Sequence, residues 1–206
     1  IFIDNFSDDR SAEIAKNYDP KLKYYKTDKY LSLYNARNLA LDKCSGSLIT
    51  FLDCDDIWIK DKLSKQVEAY NKGCLFSFGD AKIVDANLNT KFLKNNSKKI
   101  RKKVNTNSLI FRNSIAIGCA AVDAKLIKKL KFDPFFELLG DFDMWIRLSM
   151  INPPIHFVGD LHLLSRQHEK NISKTLGNRW LIERRYFYRK FISKHGFLMF
   201  PSIIKY

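Results

Sequence analysis

The sequence predicts an α/β domain with a mostly parallel central sheet flanked by helices. Three observations predict it. Short apolar runs alternate with amphipathic segments from residue 1 to about residue 78, the order of elements that builds such a sheet. Residues 48–52 are apolar on both faces, as a strand covered on both sides must be. Acid-rich turns follow these runs, at the place where an open α/β sheet gathers ligands beyond the carboxyl ends of its strands.

The elements follow in order. Residues 1–3 read as the tail of a buried strand running into a polar turn, Asp4 to Asp9. Residues 11–17 suit a short helix that Ser11 can cap, and 22–25 a weak strand. Residues 34–43 place Ala36, Leu39, Ala40 and Lys43 at helical spacing, with Gly46 as a stop. The strand 48–52 ends in Asp53, Cys54, Asp55 and Asp56. Residues 60–72 form a helix whose apolar side is Leu63, Val67 and Tyr70, and 74–78 the next strand. A short strand at 82–85 and a turn follow. Residues 91–107 carry seven Lys or Arg and no acid, the composition of a mobile surface loop. Residues 109–122 have strand character, and 124–130 are helical. Gly140 and Asp141 open a helix that Asn152, Pro153 and Pro154 end. Two strand-like runs, 155–158 and 161–165, precede a long helix over 178–194.

A chain of 206 residues, 46% hydrophobic, can bury one sizeable core. Its formal charge of +14 admits nucleic acid, an anionic membrane surface or an anionic substrate as partner. The four cysteines (Cys44, Cys54, Cys74, Cys119) form no CxxC pair, which argues against a zinc site and for small buried hydrophobes in a reducing, cytosolic setting. No leader peptide is visible, and no apolar run reaches the ~18 residues of a membrane span. P-loop, GxGxxG and nucleophile-elbow patterns are absent, and the four histidines show no metal-ligand spacing.

Three acidic clusters could carry chemistry. Asp53, Asp55 and Asp56 repel one another unless a cation or solvent intervenes, and hard oxygen donors at this spacing suit Mg²⁺ or Mn²⁺; a solvated turn before the next helix is the plainer alternative. Asp141 at a helix start is either an N-terminal dipole partner or a general base, and Asp143 either its companion or a surface residue. The turn after Asp4 offers a carboxylate to a nucleobase N–H, or is merely polar.

In this order the clusters resemble the GT-A glycosyltransferases of family 2. Residues 1–9 (IFIDNFSDD) are similar to the family's strand ending in D-[DN]-x-S-x-D. Residues 35–41 (NARNLAL) are similar to its N-x-ARN-x-G-[LI] helix, with Ala40 where glycine is usual. Residues 51–58 (FLDCDDIW), followed by Asp61, Lys62 and Leu63, resemble FLDSDDxW…DKL. Residues 139–148 (LGDFDMWIRL) resemble [EG]D-[YF]-D-x-W-x-R-L, with Gly140 where Glu is frequent, and 165–173 (SRQHEKNIS) resemble YRxHxxNxS. The resemblance spans residues 1–173 as the catalytic domain, with 174–206 a basic, aromatic, helical extension. It implies a Rossmann-like nucleotide-diphospho-sugar transferase fold whose first strand and helix are missing here.

The implied chemistry is inverting transfer from a nucleotide-diphosphate sugar, most often a UDP-sugar, to a glycan or lipid-linked acceptor in surface-polysaccharide or lipopolysaccharide assembly. Asp4 would bind the base, and Arg37 and Asn38 would line the donor pocket. Asp53 would touch ribose or a metal-bound water, and Asp55 would ligate Mn²⁺ or Mg²⁺. Asp141 would be the base, with Arg166 and His168 at phosphate or acceptor. The segment 179–194 sets six basic residues beside Trp180, Tyr186, Phe187, Tyr188 and Phe191. It suits either peripheral contact with an anionic bilayer at the inner face of the cell membrane or an ordinary packed helix. The rival classes are an inactive truncated relative and a basic nucleic-acid-binding module. The second leaves the acidic clusters unexplained, so no nucleic-acid partner is expected.

Overall fold

Strands form where β-branched and aromatic residues cluster, and their pairing in the computed structural model defines two sheets. The structure describes residues 1–94, 104, 106–111, 115–151, 153–169 and 171–196. In chain order the elements are β1 (Phe2–Asp4), α1 (Ser11–Tyr18), β2 (Tyr24–Lys26), α2 (Leu33–Lys43), β3 (Leu48–Thr50), β4 (Ile57–Trp58), α3 (Lys62–Asn71), β5 (Phe76–Val84), β6 (Thr90–Lys94), α4 (Thr106–Phe111), β7 (Ala121–Asp123), α5 (Ala124–Leu130), α6 (Gly140–Met150), β8 (Ile155–Arg166), α7 (Ile172–Thr175) and α8 (Arg179–His195).

β1 and β2 pair in parallel as a small sheet of their own. The larger sheet runs β3-β7-β5-β8-β4, with β6 also on β5. The expected mostly parallel sheet is mixed. β7 lies antiparallel between β3 and β5, and only β5–β8 is a parallel pair in this sheet among the described residues. β3, β5 and β8 do run the same way. The strand–helix alternation that suggested a parallel sheet therefore set strand direction correctly but missed the strand inserted between neighbours. Among the described residues no strand lies between β1 and β3.

Three local expectations are overturned. The runs 74–78 and 82–85 belong to one nine-residue strand, β5, buried along almost its whole length. Its partner β8 is likewise continuous and absorbs the mismatch in a register shift opposite Phe78 to Ala81. Gly159, at φ 76°, supplies the left-handed residue in that stretch. Residues 109–122 hold the end of α4, a 3₁₀ turn (Ile117–Cys119) and the start of β7 rather than a strand. Finally, α3 turns the opposite face inward. Leu63 and Val67 are exposed, whereas Lys62 and Gln66 are buried. Lys62 Nζ donates to Thr50 Oγ1 and to Gln66 Oε1, both at 2.7 Å, and lies 4.3 Å from the Trp58 ring centre; Gln66 Nε2 donates to the Cys119 carbonyl at 2.8 Å. A fully partnered polar pair thus outcompetes two aliphatic side chains for the interior. The basic segment 91–107 begins in β6 and ends in α4; residues 95–103 lie outside the described residues.

The core is aromatic and aliphatic, centred on Phe76, Phe78, Trp145, Leu148 and Ile127. α8 contributes Phe187 and Phe191 to this same core. Cys74 and Cys119 are buried, but Cys44 is only half-buried and Cys54 is exposed, so the expectation of four buried thiols fails at two positions.

Candidate active site

β3 ends at Thr50, and the chain then lays Asp53, Cys54, Asp55 and Asp56 along the floor of a cleft of about 640 Å³. The carboxyl end of β8 supplies Arg166 to the same cleft, and the turn beyond it supplies His168 and Asn171. α2 adds Arg37, and the turn after β1 adds Asn5. A second hollow of about 510 Å³ is lined by Tyr34, Glu137, Leu139, Asp141 and Trp180. Arg37 and Asp53 line both hollows.

Each acidic side chain has definite neighbours. Arg37 Nη2 lies 2.7 Å from Asp53 Oδ1. Burial works against the charge on Arg37, but Asp53, Tyr34 and Asp141 outweigh it and raise its pKa. The guanidinium therefore sits in the field of both Asp53 and Asp141. Asp55 Oδ2 is 3.0 Å from His168 Nε2 and accepts from Asn171 Nδ2 at 3.2 Å. Asp56 Oδ1 accepts the Arg166 backbone N–H at 2.8 Å; burial, helped by Asp55 and Asp53, pushes its carboxyl up to about 6. Among the described residues, Arg166 Nε is buried without a hydrogen-bond partner. A buried guanidinium N–H on the wall of a cleft is a ready donor to an anionic oxygen.

Asp141 stands in the first turn of α6, as its sequence position implied. Its backbone N–H donates to Tyr34 Oη at 3.0 Å. Gly140 explains the departure from the family's usual Glu: a Cβ there would lie 2.5 Å from the Tyr34 ring. Asp143 is not a surface residue. It is 2% exposed and pairs with Arg147, which also donates to the Leu130 and Lys131 carbonyls.

Two expected donor-site residues do not face the cleft. Asp4 is 1% exposed; its carboxylate accepts the Tyr24 hydroxyl and, at 2.8 Å, the Ser7 N–H. These bonds lower its pKa, and the Tyr24 hydroxyl is pushed up to about 12. The adjacent Asn5 lines the cleft instead, held by its side chain to the Leu31 backbone. Asn38 is likewise spent on structure, since its amide both donates to and accepts from the Phe132 backbone at 2.8 Å. Arg37, Asp53, Asp55, Arg166 and His168 do converge. Sequence reasoning missed roles for Tyr34, Asn171, Trp180 and Glu183. Asn171 lay inside the SRQHEKNIS stretch; the others act across about 40 residues of chain or more and left no local signal.

A divalent ion is testable against the donor set. Among the described residues no three acidic, His or Cys side chains gather tightly enough to hold an ion alone. Two carboxylates on one cleft, each with one oxygen outside the bonds described above, suit Mg²⁺ or Mn²⁺ that completes its shell with phosphate and water oxygens. Among the described residues no helix is long and apolar enough to cross a membrane.

Comparisons with known proteins show family and fold. The chain is 30% identical over 153 residues to UDP-Glc:alpha-D-GlcNAc-diphosphoundecaprenol beta-1,3-glucosyltransferase WfgD of Escherichia coli, covering 72% of this chain and 56% of that protein. It is 33% identical over 93 residues to GalNAc(5)-diNAcBac-PP-undecaprenol beta-1,3-glucosyltransferase of Campylobacter jejuni, covering 43% and 30%. The alignment thus spans about half the length, or less, of these curated relatives. The crystal structure of S. aureus TarS 1-349 in complex with UDP-GlcNAc superposes with a TM-score of 0.66 at 15% identity, covering 98% of this chain and 66% of that one, which shows a shared GT-A fold. The profile described as Glycosyl transferase family 2 matches residues 1–130, and with the acidic cleft beyond β3 it establishes that this chain belongs to that family.

Proposed function

We propose that the full-length protein transfers a sugar from a nucleotide-diphosphate sugar, in the first instance a UDP-sugar, to an acceptor hydroxyl with inversion. The observation that carries this reading is that Arg37 and Asp53 line both hollows, so the cleft bearing Asp55 lies directly beside the one bearing Asp141. A donor diphosphate fits the first hollow, with Arg166 Nε and Arg37 as cationic contacts. The acceptor fits the second, where Trp180 is 40% exposed beside Asp141.

Asp141 takes the proton from the acceptor hydroxyl as its oxygen attacks the anomeric carbon, and the bond to the diphosphate oxygen breaks on the opposite face. Arg37 holds Asp53 in place between the two reacting partners. A divalent ion held by Asp55 and Asp53 would offset the charge that develops on the departing nucleoside diphosphate. His168 and Asn171 fix the Asp55 carboxylate from behind.

The relatives' names, which carry undecaprenol diphosphate sugars, favour a lipid-linked sugar acceptor, and the reading extends to surface-polysaccharide assembly at the inner face of the membrane. The first turns of α8 expose Trp180, Leu181 and Ile182 beside Arg184 and Arg185, which suits peripheral contact with anionic lipid. Nucleic acid is disfavoured as a partner, because carboxylates line the main cleft. The test is nucleoside-diphosphate release by the full-length protein against a panel of nucleotide sugars, with and without Mn²⁺. Metal-dependent turnover of one donor is expected; a protein inert to the whole panel with metal and lipid-linked acceptor would remove the reading.

A further inference from the structure

α6 begins without a side-chain cap. Its N-cap position is Leu139, which has no side-chain acceptor to offer the exposed N–H groups of the first turn. Tyr34 Oη takes the Asp141 N–H and Asp141 Oδ1 the Phe142 N–H, while the loop just before the helix is held from 44 to 46 residues further along the chain. Glu183, in α8, is 0% exposed, and its carboxylate accepts the backbone N–H groups of Glu137 at 2.7 Å, Leu138 at 2.9 Å and Leu139 at 2.9 Å. These are the residues that lead directly into Gly140 and Asp141. Arg179 Nε neutralises the same carboxylate at 3.0 Å, and its Nη2 donates to the Phe135 carbonyl at 2.9 Å. Three consecutive N–H groups on one buried carboxylate fix the path of a loop far more tightly than any single cap.

The fixed loop reaches further. Glu137 Oε2 accepts the Leu33 N–H at 3.1 Å, at the start of α2, the helix that carries Arg37. Tyr34, the next residue on α2, accepts the Asp141 N–H. Glu183 thus sits at the centre of a chain of hydrogen bonds that ties α8, the Asp141 loop and the Arg37 helix to one another. A helix that only filled the core would need Phe187 and Phe191, but no buried carboxylate aimed at this loop.

We propose that Glu183 is a positioning residue for sugar transfer. It holds the 137–141 loop so that Asp141 faces the acceptor, while the acids after β3 and Arg166 at the end of β8 lie outside its network. The inference rests on the reading of Asp141 as the base. In the full-length protein, Glu183→Gln keeps the side chain's volume but turns an NH₂ group toward backbone donors. With the nucleotide sugar that wild type turns over, E183Q is expected to lower kcat roughly 30-fold or more, as loss of a well-placed base does. The donor KM should change less than kcat, because of the donor contacts only Arg37 lies on this network, while Asp53, Asp55 and Arg166 lie outside it. Hydrogen exchange should quicken at the amides of residues 137–139. Arg179→Gln, at a partly exposed position, is a milder variant and should shift kcat in the same direction if E183Q does not fold. Wild-type kcat in a folded E183Q or R179Q protein with quickened exchange at 137–139 would overturn the proposal. Wild-type kcat in Asp141→Asn as well would instead sink the reading of the base, as would a wild type silent toward every donor.

Discussion

Gly140→Ala tests how Asp141 is placed. A Cβ at position 140 would lie 2.5 Å from Tyr34 Cε2 and Cζ and 2.6 Å from Cδ2. Ordinary carbon contacts are about 3.5–4.0 Å, so the ring must retreat by roughly 1 Å. It has nowhere to go. Tyr34 is 2% exposed, its ring centre lies 5.2 Å from that of Phe132, and the Arg37 guanidinium lies 5.1 Å from it on α2. Overpacking of this kind costs about 1–3 kcal/mol, and losing the bond from the Asp141 N–H to Tyr34 Oη adds about 1 kcal/mol. The sum, about 2–4 kcal/mol, should lower the Tm of a domain this size by roughly 4–16 °C in thermal unfolding. In a Tyr34→Ala background the same substitution meets neither ring nor hydroxyl, so its cost should largely vanish, leaving a coupling of about 2–4 kcal/mol. A G140A protein melting within about 1 °C of wild type would show that the Tyr34–Gly140 contact does not hold Asp141.

Other outcomes follow from the same geometry. Burial holds the Lys62 ammonium down to about 8 from an ordinary 10.5. Between pH 8 and 10.5 the unfolded chain keeps a proton that the folded chain has lost, so this residue makes stability rise with pH across that window, by roughly 3 kcal/mol in full; Lys62→Met should flatten the rise, and urea melts at pH 7.5 and 10 that change equally in both proteins would contradict it. His168→Ala frees Asp55 Oδ2 from one of its two partners and should weaken Mn²⁺-dependent donor binding about 10-fold, read by calorimetry with and without metal; unchanged affinity would place His168 outside the site. Leu181→Ser with Ile182→Ser, both at exposed positions, should cut sedimentation with anionic vesicles while leaving Tm within about 2 °C, and equal sedimentation would remove the membrane contact.

Much of the site was legible because its signals are local. The acids at 53, 55 and 56 follow a short apolar strand, and Asp141 opens a helix that a Pro pair closes; each is a few residues long and survives without knowledge of its neighbours. α5 and α6 could be read in the same way. What failed depends on distant partners. Asp4 and Asn38 look identical to cleft residues in sequence, yet Tyr24 and the Phe132 backbone claim them. The α3 pattern offered Leu63 and Val67 to the core, but Thr50 and the Cys119 carbonyl satisfy Lys62 and Gln66 and reverse the helix. The antiparallel β7 between β3 and β5 left no trace in periodicity, because strand neighbours are chosen by tertiary packing. Glu183 sits in a segment so basic that its one buried acid reads as an incidental charge.

If the two hollows that share Arg37 and Asp53 work as one active site, the donor sits in the first and the base in the second. Measuring donor affinity and sugar-transfer rate together for full-length Asp141→Asn tests it most directly. Donor Kd should stay within about twofold of wild type while the transfer rate falls by roughly 10²–10⁴. A variant that transfers sugar at the wild-type rate, or one that loses donor binding and rate in equal measure, would contradict it.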